Sequence, residues 1–140
     1  MIVDTNFLID LDTQIPAAVN KAQEIEQAGL SRKIPQVVIS ELWVSVGMGT
    51  TPAKNRRTYQ RLLQGLPRAD LTETIAKRAG EIHGQSKTDD PNNSGVGLVD
   101  AIIAATALQY GEPVVTNNAT DFVNRIQQNL GYSSLDVETY

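Results

Sequence analysis

Hydrophobic positions along the chain switch between short apolar runs and helical periods. Met1-Ile2-Val3 reads as a short buried strand that ends on Asp4. Helices follow over Asn6–Leu11 and Ala17–Ala28, with Pro16 suited to a first helical turn and Gly29 to a stop. Gln36–Val46 reads as an apolar helix, although its β-branched content also allows a strand. Pro52–Leu63 is a polar helix and Arg68–Leu71 a short strand. Thr72 caps a helix that runs to His83 or beyond, with Ile75, Ala79 and Ile82 on one stripe. Lys87–Gly97 is polar and rich in turn formers, and is the one clear loop. Leu98–Tyr110 is apolar on all sides, which predicts a core helix, and Gly111 ends it. Pro113–Thr116 is a strand, Asn117–Thr120 a polar turn, and Ser134–Val137 a last short strand. Strands alternating with helices predict an α/β protein, a three-layer α/β/α sandwich around a mainly parallel sheet. The length predicts one domain over residues 1–140.

Composition narrows the chemistry. There is no cysteine, so disulfides, thiolate zinc sites and cysteine nucleophiles are excluded. The single histidine, His83, excludes a multi-histidine metal site. The 16 Asp and Glu residues leave only oxygen ligands, which favour Mg²⁺ or Mn²⁺ over Ca²⁺. The net charge of −4 argues against a general nucleic-acid coat protein, but the charge is uneven. No acid lies between Glu41 and Asp70, where Lys54, Arg56, Arg57, Arg61 and Arg68 make up five of the 12 basic residues. This segment is either a solvated helix face or a grip for polyanion.

Four acids stand where a fold would prefer none. Asp4 ends the first strand, at the sheet edge where open parallel sheets bind ligands; it reads equally as a cap for the next helix. Glu41 shares a helical stripe with Val37, Val44 and Met48, and is either a paired acid on an apolar face or a rim residue with its head in water. Asp100 lies in the first turn of the core helix, where the helix dipole alone favours an anion by roughly 0.3–1 kcal/mol. Asp121 follows the strand at Val114-Val115, in a turn rich in hydroxyls and amides that could equally be cap chemistry. Convergence of all four would cost about 4 kcal/mol for each pair at 4 Å and an effective dielectric near 20. Divalent cations would relieve that repulsion, and Mg²⁺ suits chemistry on a phosphate.

The segments Asp4-Thr5-Asn6-Phe7-Leu8-Ile9-Asp10, Ser40-Glu41-Leu42, Val99-Asp100-Ala101-Ile102-Ile103-Ala104-Ala105-Thr106-Ala107-Leu108 and Thr116-Asn117-Asn118-Ala119-Thr120-Asp121-Phe122 resemble the PIN domain family, in particular VapC-type ribonuclease toxins of prokaryotic toxin–antitoxin modules. The last two segments are the most specific. The resemblance implies an endoribonuclease dependent on Mg²⁺ or Mn²⁺ that hydrolyses phosphodiester bonds with metal-activated water, leaving 5′-phosphate and 3′-hydroxyl ends. It makes Asp4, Glu41, Asp100 and Asp121 the catalytic, metal-binding acids. Thr5 and Asn6 would orient Asp4 or bind phosphate, and Thr116 and Asn118 would hold Asp121 and the substrate backbone. It further implies a homodimer and a cognate antitoxin that inserts a peptide into the acidic site. Lys54, Arg56, Arg57 and Arg61 would then grip the RNA backbone.

Other features carry simpler readings. His83 is expected on a helix surface, and Asp10 and Asp12 in solvent, although Asp10 is close enough in sequence to Asp4 to support the site from behind. Trp43 reads as core or dimer interface. Gly95 and Gly97 read as loop flexibility, and no dinucleotide or P-loop glycine motif exists. An early carboxylate and the lack of a long apolar run predict a cytoplasmic protein with no membrane span. Two rivals remain. An aspartate-nucleophile phosphatase would want a second aspartate at position 6, which is Asn. A catalytically silent PIN-like module would bind RNA or a partner without cutting.

Overall fold

Short β-branched runs flanked by long amphipathic helices can bury both sheet faces only if helices cover both. The structure, a computed structural model, describes residues 1–89, 92 and 95–140. Among the described residues the strands are β1 (Ile2–Val3), β2 (Ile34–Pro35), β3 (Arg68–Ala69), β4 (Val114–Thr116) and β5 (Val137–Thr139). β1 pairs parallel with β4, β4 with β5, and β2 with β3. A single parallel bridge, Ile2 to Lys33, joins the two sets. The spatial order is therefore β3-β2-β1-β4-β5, all parallel.

The helices are α1 (Thr5–Asp12), α2 (Pro16–Gln27), α3 (Gln36–Met48), α4 (Pro52–Leu62), α5 (Glu73–Asp89), α6 (Leu98–Tyr110) and α7 (Thr120–Asn129). α1 packs on α2, α3 and α4; α5, α6 and α7 pack on one another. Right-handed crossovers require this segregation, because the chain moves one way from β1 to β3 and the other way to β5. The expected α/β/α sandwich with a parallel sheet is what forms. No described helix is long and apolar enough to cross a membrane.

Local signals explain most boundaries. Pro16 and Pro52 open α2 and α4. Thr72 Oγ1 accepts the Ile75 amide at 3.3 Å and so caps α5. Gly111 takes φ +61° beyond α6, as an αL stop requires. α6 buries Ala101, Ile103, Ala104, Ala105, Thr106 and Ala107, so small residues let it approach β1, β4 and α5 closely.

Several expectations need correction. α5 extends through Lys87, Thr88 and Asp89, which the sequence pattern placed in the loop. Its buried stripe continues from Ile75, Ala79 and Ile82 to Ser86, whose hydroxyl is spent on His83 O at 2.8 Å. A buried serine reads as polar in a hydropathy pattern, hence the early stop. Of the expected loop, residues 90, 91, 93 and 94 lie outside the described residues. β5 begins at Val137, later than expected. β2 and α7 carried no period signal. β2 has only two residues, and α7 is wound wide, with Leu130 N–H donating to Arg125 O across five residues.

Candidate functional site

The chain leaves β1 and β4 at the same carboxyl end and then turns toward opposite edges of the sheet. The crevice between their carboxyl ends is where open parallel sheets bind ligands. Asp4 directly follows β1 and Asn117 directly follows β4. The sheet topology thus brings two distant polar segments to one edge.

Asp4 is only 3% exposed. Its Oδ2 accepts a hydrogen bond from Thr116 Oγ1 at 2.7 Å. It stands at the N-cap of α1, but its side chain makes no well-aligned capping hydrogen bond. Burial pushes its carboxyl above the usual range, and the charge of Glu41 adds to this. The Thr116 hydroxyl and the nearby amides of Thr5 and Asn6 act in the opposite direction. Glu41 comes from the middle of α3, and its Oε2 accepts from Thr5 Oγ1 at 2.5 Å.

Asp100 sits half-buried in the first turn of α6. Burial, then the charges of Asp4, Asp121 and Glu41, and a hydrogen-bonding approach by Asp121, push its carboxyl up to about 7. One carboxyl group therefore feels three others supplied by the β1 end, α3 and α7. Asp121 itself is well compensated. Its Oδ2 accepts from Asn118 Nδ2 at 2.9 Å, and its Oδ1 takes a 2.6 Å ion pair with Arg125.

The four expected acids share one electrostatic neighbourhood, but their supporting residues work differently from expectation. Thr116 holds Asp4 and not Asp121, and its hydroxyl also accepts the Asn118 amide at 2.9 Å; Asp121 is held by Asn118 and Arg125. The Thr5 hydroxyl donates to Glu41, and only its amide approaches Asp4. Asn6 Nδ2 turns to Asn117 Oδ1 at 3.3 Å. Glu41 does not interrupt a buried stripe. Val44 and Met48 are 57% and 82% exposed, and α3 buries Val38, Leu42 and Val46 instead. An all-round apolar helix gives no unique inward face, so the sequence could not select the stripe.

Three participants, Arg125, Asn117 and Tyr140, have no role assigned from the sequence, and a fourth, Asp10, has a supporting one only as an alternative to solvent. Arg125 is the partner of Asp121, and its spacing of four residues within one helix was the available signal. Asp10, expected in solvent, accepts from Asn117 Nδ2 at 2.8 Å and from Tyr140 Oη at 2.9 Å. Tyr140 packs edge-on against Phe7, with ring centroids 5.2 Å apart. Asn117, Asp10 and Tyr140 thus form a polar rim beside Asp4, joined by contacts too distant in sequence to infer.

Gly95 and Gly97 are not a flexible spacer. Gly95 has φ +66°, and a Cβ there would lie 2.7 Å from Ser86 Oγ. Its carbonyl accepts from Arg125 at 3.2 Å. Val96 is fully buried; its amide donates to Ser86 Oγ at 2.9 Å and its carbonyl accepts from His83 Nδ1 at 2.7 Å. His83, expected on the surface, is a half-buried clamp. α5 and α7 thereby fix the entry to α6 and the placement of Asp100.

Lys54, Arg56, Arg57 and Arg61 are all exposed on α4 and make no ion pair among the described residues. α4 packs against α3 and α1, the helices that carry Glu41 and Thr5. Tyr59 reaches Ser45 Oγ at 3.0 Å and packs beside half-buried Trp43. Arg68 is different: its guanidinium donates to Leu63 O at 2.8 Å and to Leu66 O, closing the end of α4.

Among the described residues, no group of three or more His, Asp or Glu side chains is arranged to hold a metal ion. Their oxygens are turned to Thr5, Thr116, Asn118 and Arg125. The chemistry of the donor set nonetheless fits a hard divalent cation. It is all oxygen, anionic and crowded enough to raise two of its members.

The model of the PIN domain family matches residues 1–125. The chain belongs to the PIN domain family. Comparison with curated proteins finds no significant match. Among solved structures, this PIN domain is similar to VapBC2 from Rickettsia felis bound to a promoter DNA fragment, with TM-score 0.78 and 19% identity over 99% of this chain and 96% of that one. It is similar to DNA-bound VapBC from Salmonella typhimurium, with TM-score 0.77 and 22% identity over 99% of this chain and 96% of that one. A toxin–antitoxin complex from Klebsiella pneumoniae matches at TM-score 0.68 and 25% identity, over 99% of this chain and 95% of that one.

Within this PIN domain, Thr116→Val is expected to cost about 1–3 kcal/mol at pH 8, because ionised, buried Asp4 loses its donor. Without that donor the folded Asp4 holds its proton to still higher pH, so stability falls more steeply as pH rises. The cost should be smaller at pH 5 than at pH 8, because a lower pH favours the protonated carboxyl and so relieves the unpaired charge. Urea denaturation at both pH values checks this. An equal loss at both would show that the hydroxyl serves only the Asn118 amide.

Proposed function

We propose that this PIN domain is a metal-dependent endoribonuclease, the toxin of a toxin–antitoxin pair. The observation that carries the reading is the meeting of Asp4, Glu41, Asp100 and Asp121 at one sheet edge, where Asp100 is raised to about 7 largely by burial and by the other three. Isolated caps would not crowd one another in this way. These carboxylates would hold Mg²⁺ or Mn²⁺, which when bound would supply Lewis acidity and an activated water for phosphodiester hydrolysis. Thr116 and Asn118 set the orientation of Asp4 and Asp121, and Thr5 sets that of Glu41. The polar rim of Asn6 and Asn117 lies where a substrate backbone would pass. No histidine pair exists for the alternative route through the ribose 2′-hydroxyl, so fragments should carry 5′-phosphates.

The exposed basic face of α4 would bind RNA flanking the cut. Arg56→Ala with Arg57→Ala is expected to weaken RNA binding and to lower the slope of log K against log salt by about 1–2, since each phosphate contact on single strands contributes roughly 0.7. Fluorescence anisotropy across a salt series checks this, and an unchanged slope makes α4 an ordinary solvated face. The structural neighbours were solved as toxin–antitoxin complexes, which supports an antitoxin as partner. Exposed Val44 and Met48 on α3 suit a second copy in a homodimer.

The deciding experiment is cleavage of a structured RNA pool in Mg²⁺ or Mn²⁺, with sequenced ends. Cleavage that leaves 5′-phosphates and that Asp100→Asn abolishes supports the reading. Silence from folded, metal-supplied protein across tRNA and ribosomal RNA favours a PIN module that binds without cutting.

A further inference from the structure

Arg125 is the one cation that touches the acidic cluster among the described residues. Its Nη1 lies 2.6 Å from Asp121 Oδ1 and 3.2 Å from the carbonyl of Gly95. The pair is partly shielded, with side-chain exposures of 26% for Arg125 and 17% for Asp121. Such a pair is worth more than a surface ion pair, because water screens it less. The second bond gives the guanidinium an anchor that does not depend on Asp121. Gly95 leads into α6, so this anchor holds the positive charge beside Asp121 through a contact that Asp121 does not supply.

We infer that Arg125 is a built-in counter-ion of the acidic cluster, which competes with a divalent cation for Asp121 and so sets the affinity of the site for metal. The inference rests on the proposed metal-dependent reading and deepens it. Asp121 Oδ2 is already engaged by Asn118 and Oδ1 by Arg125. A cation that takes Asp121 as a ligand must therefore displace or share with the guanidinium. A like charge held a few ångströms away weakens cation binding, and its loss strengthens it. Arg125 is in this sense a positioning residue and not a catalytic one. It acts through Asp121 and through the entry to α6.

The test is Mn²⁺ binding to the full chain without RNA, followed by electron paramagnetic resonance of free Mn²⁺. Arg125→Gln is expected to bind Mn²⁺ about tenfold more tightly than wild type, while Arg125→Lys, which keeps the charge, stays within about twofold. In metal-free buffer Arg125→Gln should also melt several degrees lower than wild type, and adding Asp121→Asn should restore most of that loss. Equal or weaker Mn²⁺ binding by Arg125→Gln, with wild type binding normally, overturns the counter-ion role and leaves the metal-dependent reading standing. Absence of Mn²⁺ binding from wild type and variants alike overturns both. Should Arg125→Gln fail to fold, the wild type still decides. The Arg125 Nε–H resonance should shift and exchange faster with water on adding Mg²⁺, and an unmoved resonance overturns the role.

Discussion

Asp100→Asn is expected to abolish RNA cleavage while making the protein more stable in EDTA at pH 8. A residue that only capped α6 would do the reverse on stability. In the folded chain Asp100 keeps its proton up to about pH 7, whereas the ordinary value is 3.8. Between those values the folded state binds more protons than the unfolded state, so stability falls as pH rises through the window. Above it the whole cost is present. The full rise corresponds to at most about 4 kcal/mol. Water reaching a half-buried carboxyl, and shared repulsion among four groups, reduce the expected gain for Asn to ~1–2 kcal/mol. That is roughly 3–8 °C in Tm for a chain of this size. Wild type in EDTA should therefore lose stability from pH 5 to pH 8, and Asp100→Asn should lose much less. Cleavage should fall by at least ~100-fold, the scale on which loss of one preorganised charged group is felt. Thermal melts at the two pH values, beside the cleavage assay, check both halves. A variant several kcal/mol less stable at pH 8 would make Asp100 a structural first-turn acid and remove it from the site.

Gly95→Ala should damage both the fold and the site. The residue has φ +66°, in the left-handed region that side chains rarely adopt. The added Cβ would lie 2.7 Å from Ser86 Oγ, 3.1 Å from Ser86 C and 3.2 Å from Lys87 N. Two of those atoms are backbone in the last turn of α5. The third cannot swing aside without breaking its bonds to His83 O and to the Val96 amide. Strain and overlap together are expected to cost about 3–4 kcal/mol. Gly65→Ala is the control, since Gly65 has φ +73° with nothing within 4 Å of an added Cβ. It should cost only the backbone strain, about 1–2 kcal/mol. Urea denaturation of the two variants separates strain from close approach. Cleavage by whatever fraction of Gly95→Ala still folds should also fall, because Asp100 is placed by this entry. Equal stability losses in the two variants would mean that α5 yields to the methyl group.

Local pattern along the chain is enough for the class of fold and for the kind of side chains gathered at the candidate site. Alternating short apolar runs and helical periods allow few arrangements other than a parallel sheet covered on both faces. The absence of cysteine and the single His83 left carboxylates as the only means of holding a metal. Glu41 stands out only on a stripe that is not the buried one. Asp4, Asp100 and Asp121 could be picked out because each stands at a strand end or in the first turn of a buried helix, which is visible in one dimension. The helix caps Thr72 and Gly111 were legible for the same reason, since their partners lie within a few residues.

How those acids are held follows from packing between elements far apart in the chain. Thr116 reaches across the sheet to Asp4, 112 residues away in sequence, and Thr5 reaches Glu41, 36 residues away. No periodicity records such a pairing, because it depends on strand order and on which side of β1 each connection passes. The inward face of α3 was equally hidden. A helix apolar all round takes its orientation from its neighbours, so Val38, Leu42 and Val46 went inside and Val44 and Met48 stayed out. His83 and Gly95 read as surface and loop flexibility, and Ser86 carried no reading of its own. They form a clamp because α5 runs past its expected end and meets the entry to α6 at backbone contact. Arg125 became part of the site only when α7 set its guanidinium against both Asp121 and Gly95. Local sequence specifies which groups are available, and only the packing of elements distant in the chain brings them within hydrogen-bonding distance.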